Sequence, residues 1–265
     1  MTVSGRPEST GSWLAALLAA ELDRLRAAVD AGLCDEPDGI HQVRVSCRRV
    51  RSHVRVFAKP AGAGWADDVS ERLRDVADAC GPARDLEVVR DRVDSPPALT
   101  AVLTERAQGA AESARHALAG PATGVALDTL RRAAADARQL DPAAGLERLA
   151  GRTWRGLVTV GDALGPDSPD AAWHRVRVRA KRARYTSEAT AAALGPSVEA
   201  QARFAKRVQT VLGEHQDAVV AIRLLTEAAA ETPRVADAAT ERIGVEQAEI
   251  RRLRAAFLEL WTTRP

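Results

Sequence analysis

Aromatic residues make up only 3% of this 265-residue chain, with one Tyr and three Phe. Bases bound as single strands usually stack on aromatic rings, so this scarcity weighs against single-stranded nucleic acid as a ligand. Cysteine is also sparse. Cys34, Cys47 and Cys80 form no C-x-x-C pair, which argues against a disulfide framework or a zinc site and for a reducing compartment. The apolar run from Trp13 to Ala20 is too short to cross a bilayer and lacks the basic flank of a signal peptide. No membrane association is expected, and a cytoplasmic location is. No window alternates strictly between apolar and polar residues, so no strand is predicted.

What is present is a soluble globular composition, 46% hydrophobic and 28% charged. The apolar positions are mostly Ala, Leu and Val, and their helical spacing predicts an all-α protein. The formal net charge is only +2. The charges are segregated, however, and a local positive field in a nearly neutral molecule steers an anion to one place.

The positive charge concentrates in two segments, His41 to Arg55 and His174 to Tyr185, which share the pattern H-x-x-R-x-x-x-[RK]-R-x-R. Neither has an acidic residue between its His and its last basic position. On a helix, positions three and four apart share a face. His41, Arg44, Arg48, Arg51 and Arg55 therefore form one cationic stripe, and His174, Arg177, Lys181 and Arg184 a second. Val43, Cys47, Val50, Val54 and Phe57 fall on the opposite, apolar face. Like charges at these spacings repel by roughly 0.2–0.5 kcal/mol per pair. Two matching copies without compensation point to an anion from outside the chain. Arg49 and Arg182 point off the stripes.

Helix punctuation is legible along the chain. Asp38 is a candidate N-cap for the helix carrying His41. Further helices are expected at about 65–79, 83–93, 98–119, 123–139 and 143–160, with Asp141 as a cap before Pro142. The helix bearing His174 stops near Gly195. Another runs to Leu212, breaks at Gly213 and resumes near Gln216, and a last one ends near Trp261. The tryptophans are expected to anchor helix packing.

The repeat extends beyond the basic helices. Leu73, Arg74, Gly81 and Asp85 match Ala205, Lys206, Gly213 and Asp217, and the His-to-Gly spacing differs by one residue between copies. Gly81 and Gly213 read as helix ends needing positive φ, and Asp85 and Asp217 as first-turn residues of the next helix. Arg74 and Lys206, at equivalent points on an adjacent helix, are candidates to join the same anion site.

These paired motifs resemble the CHAD family, the conserved histidine α-helical domain. The resemblance covers about residues 12–261, with a first repeat at 12–140, a second at 141–261 and a disordered tail at 1–11. It implies two pseudo-symmetric antiparallel helical bundles with a basic groove or pore between them, and binding of inorganic polyphosphate, in some members at polyphosphate granules. The chain departs from the pattern at Ala183 and Ala205, where a larger aliphatic is usual, and at Glu188, which stands where the first copy has Arg55.

Arginine suits such a ligand, because its planar fork binds phosphate oxygens in pairs and its charge does not titrate away. His41 and His174 either donate to phosphate or orient a neighbour through an interhelical hydrogen bond; both readings stand. His53, His116 and His215 have no repeat partner and read as incidental. The sequence contains no G-x-x-x-x-G-K-[ST], H-E-x-x-H or E-x-E-x-K pattern, so no enzymatic activity, cofactor or metal is expected. Backbone binding of nucleic acid is the competing reading, and docking of an acidic protein a third. Oligomeric state is not encoded in any motif.

Overall fold

The computed structural model describes residues 9–92, 96–140 and 145–265. Among them are ten α-helices and no strand. In chain order the helices are α1 (Thr10–Leu33), α2 (Gly39–His53), α3 (Ala66–Ala79), α4 (Gly81–Arg92), α5 (Pro97–Ala119), α6 (Pro121–Asp136), α7 (Leu146–Asp162), α8 (Asp170–Leu194), α9 (Pro196–Glu231) and α10 (Ala236–Trp261). None of the described helices is long and apolar enough to cross a membrane. The expected tail at 1–11 is shorter at its described end, because Ser9 caps α1 by accepting from the Ser12 N–H at 3.1 Å. The proposed cap at Asp141 lies outside the described residues.

Three apolar cores hold the helices. The first joins α1, α2, α3 and α6 with Ala114 and Leu118 of α5 and Leu149 of α7. Leu14, Leu18 and Leu25 repeat along one face of α1 and are fully buried there; each such side chain contributes about 1.5–3 kcal/mol. Val43, Cys47, Val50 and Val54 bury the apolar face of α2 in the same core. Burial pushes the Cys47 thiol up to about 12, which makes it inert packing. A second core joins α4 and the first half of α5 to the end of α9 and the start of α10. The third packs α7, α8, α9 and the end of α10 around Trp173, Phe204 and Phe257. The halves of the chain are thus interlocked, with α4 and α5 packed on α9 and α10.

Several local expectations are corrected. Asp38 is not a side-chain cap. It adopts a left-handed conformation, φ 61°, with no capping hydrogen bond, and its carboxylate faces Arg84 at 3.6 Å. After His53 the helix widens into a π turn, Val54–Ala58. This turn keeps Val56, Phe57 and Ala58 all buried, with the Phe57 ring edge-on to Trp13 at 4.9 Å, and leaves Arg55 exposed. There is no break at Gly213, because α9 runs 36 residues without interruption. Leu212, His215 and Ala218 are buried at three-residue steps across that point, so continuous packing outweighs the roughly 1 kcal/mol helix penalty of a glycine. Neither Gly81 nor Gly213 has positive φ. Asp217 consequently lies mid-helix, and Asp85 is the fifth residue of α4 rather than a first-turn residue.

Candidate anion-binding cavity

The two basic helices meet where α2 and α8 approach each other, with α4 and α9 closing the sides. They enclose a cavity of about 520 Å³. From α2 come His41, Arg44, Arg48 and Arg49; from α8 come His174, Arg177, Lys181, Arg184 and Tyr185. Helix α4 adds Arg84 and Asp85, and α9 adds Gln209, Gln216 and Asp217. The walls thus carry Arg44, Arg48, Arg49, Arg84, Arg177, Lys181 and Arg184 against only the carboxylates Asp85 and Asp217.

Some of these cations are compensated inside the protein. Arg44 lies 3.8 Å from Asp85, which also faces Arg223 at 3.7 Å. Arg84 bonds Glu87 at 2.8 Å, Arg184 bonds Glu188 at 2.6 Å, and Arg49 lies 3.9 Å from Glu21. Arg48, Arg177 and Lys181 have no carboxylate at ion-pair distance among the described residues. The Nε atoms of Arg48, Arg49 and Arg177 and Nδ1 of His41 are buried without a hydrogen-bond partner. A buried donor left unpaired costs about 1–3 kcal/mol, so an anion that accepted these bonds would remove several such penalties together.

The titration behaviour records the same crowding. Burial, then the charges of Arg177, Arg48 and Arg44, push Lys181 down to about 6. Burial also pushes Arg177 down to about 10, still charged at neutral pH. Asp217 is raised by burial, against the pull of Arg177 and Arg84. His41 is lowered by burial and then by Arg84, so it stays neutral to lower pH than an ordinary histidine. His174 bonds Gln216 Oε1 through Nδ1 at 2.9 Å, tying α8 to α9 across the cavity rim.

Arg51, Arg55, Arg74, Arg182 and Lys206 do not line the cavity. Arg51 lies in the field of Arg74 and Arg55, and Arg182 in that of Arg55 and Arg179, so these residues form a separate basic patch outside it. Lys206 is exposed on α9, three residues before the cavity-lining Gln209. Sequence reasoning passed over Arg84 and Gln216, although they are equivalent positions one residue before Asp85 and Asp217 in the second repeated motif. That signal was present but read as helix punctuation. His53 and His215 are not incidental: both are buried, His53 3.7 Å from Glu21 and His215 stacked on Trp173 at 5.6 Å. Burial and then Arg254 push His215 down to about 4. Among the described residues, no group of three or more His, Cys, Asp or Glu could hold a metal ion.

Comparison with known proteins agrees with this architecture. A structure described as the CHAD domain from the plant Ricinus communis superposes with a TM-score of 0.87 at 24% identity, over 99% of this chain and 94% of that one. PptA from Streptomyces chartreusis has the same fold with a TM-score of 0.70 at 22% identity, over 97% of this chain and all of that one. By sequence, the uncharacterized protein Rv2226 of Mycobacterium tuberculosis (strain H37Rv) is 32% identical over 208 residues, and its counterpart MT2285 in strain CDC 1551 is 31% identical. The aligned region spans 70% of this chain but 39% of those relatives' length. The CHAD domain profile matches residues 16–226, and the chain belongs to the CHAD domain family.

Proposed function

We propose that this protein binds inorganic polyphosphate in the cavity between α2 and α8, without catalysing a reaction on it, and through it associates with polyphosphate granules in the cytoplasm. The observation that carries the reading is the group of Arg48, Arg177 and Lys181, buried together with no carboxylate partner and with unpaired guanidinium N–H groups around them. A polyanion supplies both the charge and the acceptors that this group lacks. His41, Arg44 and Arg184 extend the contact, with His174 at the rim. The outer patch of Arg51, Arg55, Arg74 and Arg182, with Lys206 on α9, adds longer-range attraction.

The non-catalytic part of the reading is supported by the engagement of the cavity carboxylates. Asp85 is tied to Arg44 and Arg223, and Asp217 lies in the field of Arg177 and Arg84. Neither is disposed as a free base. Nucleic acid is disfavoured by the one aromatic ring in the cavity wall, because Tyr185 is already stacked with Arg49 and Arg184.

The direct test is titration of the purified protein with long-chain polyphosphate at low and physiological salt, with RNA as competitor. Tight binding that weakens steeply with salt and resists RNA is expected. Equal displacement by RNA would make this a general polyanion binder, and absence of binding to either would leave the cations for an acidic protein.

A further inference from the structure

We infer that the cavity receives the end of a polyphosphate chain rather than a segment from its interior; this rests on the polyphosphate reading. The cavity has one open side and a closed one. Gln42 and His174, at the start of the two basic helices, are exposed and mark the mouth. Lys181 and Tyr185, further along α8, are 8% and 2% exposed and form the floor.

Carboxylates stand behind the closed walls. Arg49 and Tyr185 form a partition, and on its far side is a smaller space of about 260 Å³ that contains Glu21 and Glu188. Glu21 is itself almost wholly buried, and one of its oxygens has no hydrogen-bond partner. On the flank, Arg44 and Asp85 form the wall shared with a neighbouring cleft that carries Asp78, Glu227 and Glu231. A chain threading through either partition would leave cations for carboxylates. Continuing past Lys181 is therefore opposed both sterically, by the clamped Tyr185 ring, and electrostatically.

The chemistry of a chain end fits the floor better than that of an interior unit. A terminal phosphate, like a phosphate monoester, carries about −1.5 to −2 charge at neutral pH and offers three acceptor oxygens. An interior unit carries a single charge and two free oxygens. At the floor the donors come from both sides, from Arg48 on α2 and from Arg177 and Lys181 on α8, and their unpaired N–H groups can be matched by three oxygens on one phosphorus. The volume of about 520 Å³ falls in the range of about 300–1,000 Å³ typical of pockets for discrete small ligands.

The test uses the unmodified protein at physiological ionic strength, where exposed cations such as the outer patch are screened. Stoichiometry is measured by calorimetry against polyphosphates of several defined lengths, with linear tripolyphosphate and cyclic trimetaphosphate as competitors. End capture predicts no more than two proteins per chain at every length, and competition by the linear compound at least tenfold better than by the ring, which has no ends. A protein-to-chain ratio that grows with length, or equal competition by the ring, overturns the inference while leaving polyphosphate binding intact. Failure of every linear polyphosphate to bind overturns the underlying reading as well.

Discussion

Arg49 and Tyr185, from opposite halves of the chain, are stacked, with the guanidinium carbon 5.3 Å from the ring centroid. Arg184 approaches the same ring at 5.7 Å, and Arg49 also faces the buried Glu21 at 3.9 Å. One aromatic ring thus links α1, α2 and α8 and closes the inner end of the cavity. Arg49 lies off the cationic stripe of α2, and the stacking explains its place: it supports the wall more than it faces the mouth. Four predictions follow from particular contacts in and around this wall.

Reversing charge at Arg48 together with Lys181 removes two of the three unpaired cations at the floor. Each charge-assisted hydrogen bond contributes about 1.5–3 kcal/mol, so R48E/K181E is expected to weaken polyphosphate binding at least 100-fold. Circular dichroism and thermal melting should show a retained helical fold. The milder pair R48Q/K181Q serves if the reversal perturbs folding. Retained affinity in a folded double variant would remove the cavity as the site.

Lys181, ordinarily near 10.5, is held down to about 6. The unfolded chain then binds that proton more tightly than the fold does, so the stability of the ligand-free protein falls as pH drops from about 10.5 towards 6 and levels off below. Replacing a buried charge with a well-packed apolar side chain often stabilises by about 1–4 kcal/mol. K181M should therefore raise the melting temperature at pH 7 while weakening polyphosphate binding. Binding to the unmodified protein at pH 7.5 should take up about one proton per site, read by calorimetry in buffers of different ionisation heat. Equal uptake by K181M would show that the proton goes elsewhere.

Gly81 and Gly213 are matched in the repeat but differ in surroundings. A Cβ at Gly81 would lie 2.7 Å from Nη1 of Arg44, whereas one at Gly213 would meet nothing within 4 Å. G81A is expected to displace the Arg44 guanidinium and lower polyphosphate affinity several-fold with little loss of stability. G213A should leave affinity unchanged and raise stability by about 0.4–1 kcal/mol, because it lies inside a continuous helix. Binding isotherms and chemical denaturation of the two variants test this directly. Equal effects on affinity would refute the proposed role of Gly81.

Glu21 is raised by burial but lowered more by the hydrogen bond and charge of His53, then by Arg49 and Arg24, so its carboxyl sits below the usual range. A depressed carboxyl pKa contributes stability that is present above about 4.5 and lost as pH falls through the folded value. E21Q leaves Arg49 and Arg24 without that charge, and removing one partner of a buried pair costs about 3–5 kcal/mol. The expected result is a lower melting temperature at pH 7 and a flatter acid limb than the parent. An unchanged melting temperature would mean that water already satisfies these cations.

The all-α character, the two basic helices and the pairing of their motifs were legible in the sequence because they are local properties. Three- and four-residue periodicity places Val43, Cys47 and Val50 on one face and Arg44, Arg48 and Arg51 on another regardless of what packs nearby. Tertiary structure alone decided which cations share a space. Arg51 and Arg48 are three residues apart on one stripe, yet Arg48 lines the cavity and Arg51 lies with Arg74 and Arg55 outside it. The difference comes from the neighbours, α8 in one case and α3 in the other. Asp217 and Gly213 were misread for the same reason. Local glycine and aspartate signals suggest a helix end, but burial of Leu212, His215 and Ala218 against other helices carries α9 straight through. Burial also sets the low pKa of Lys181, because desolvation and the field of Arg177, Arg48 and Arg44 arise only when distant segments of the chain are brought together.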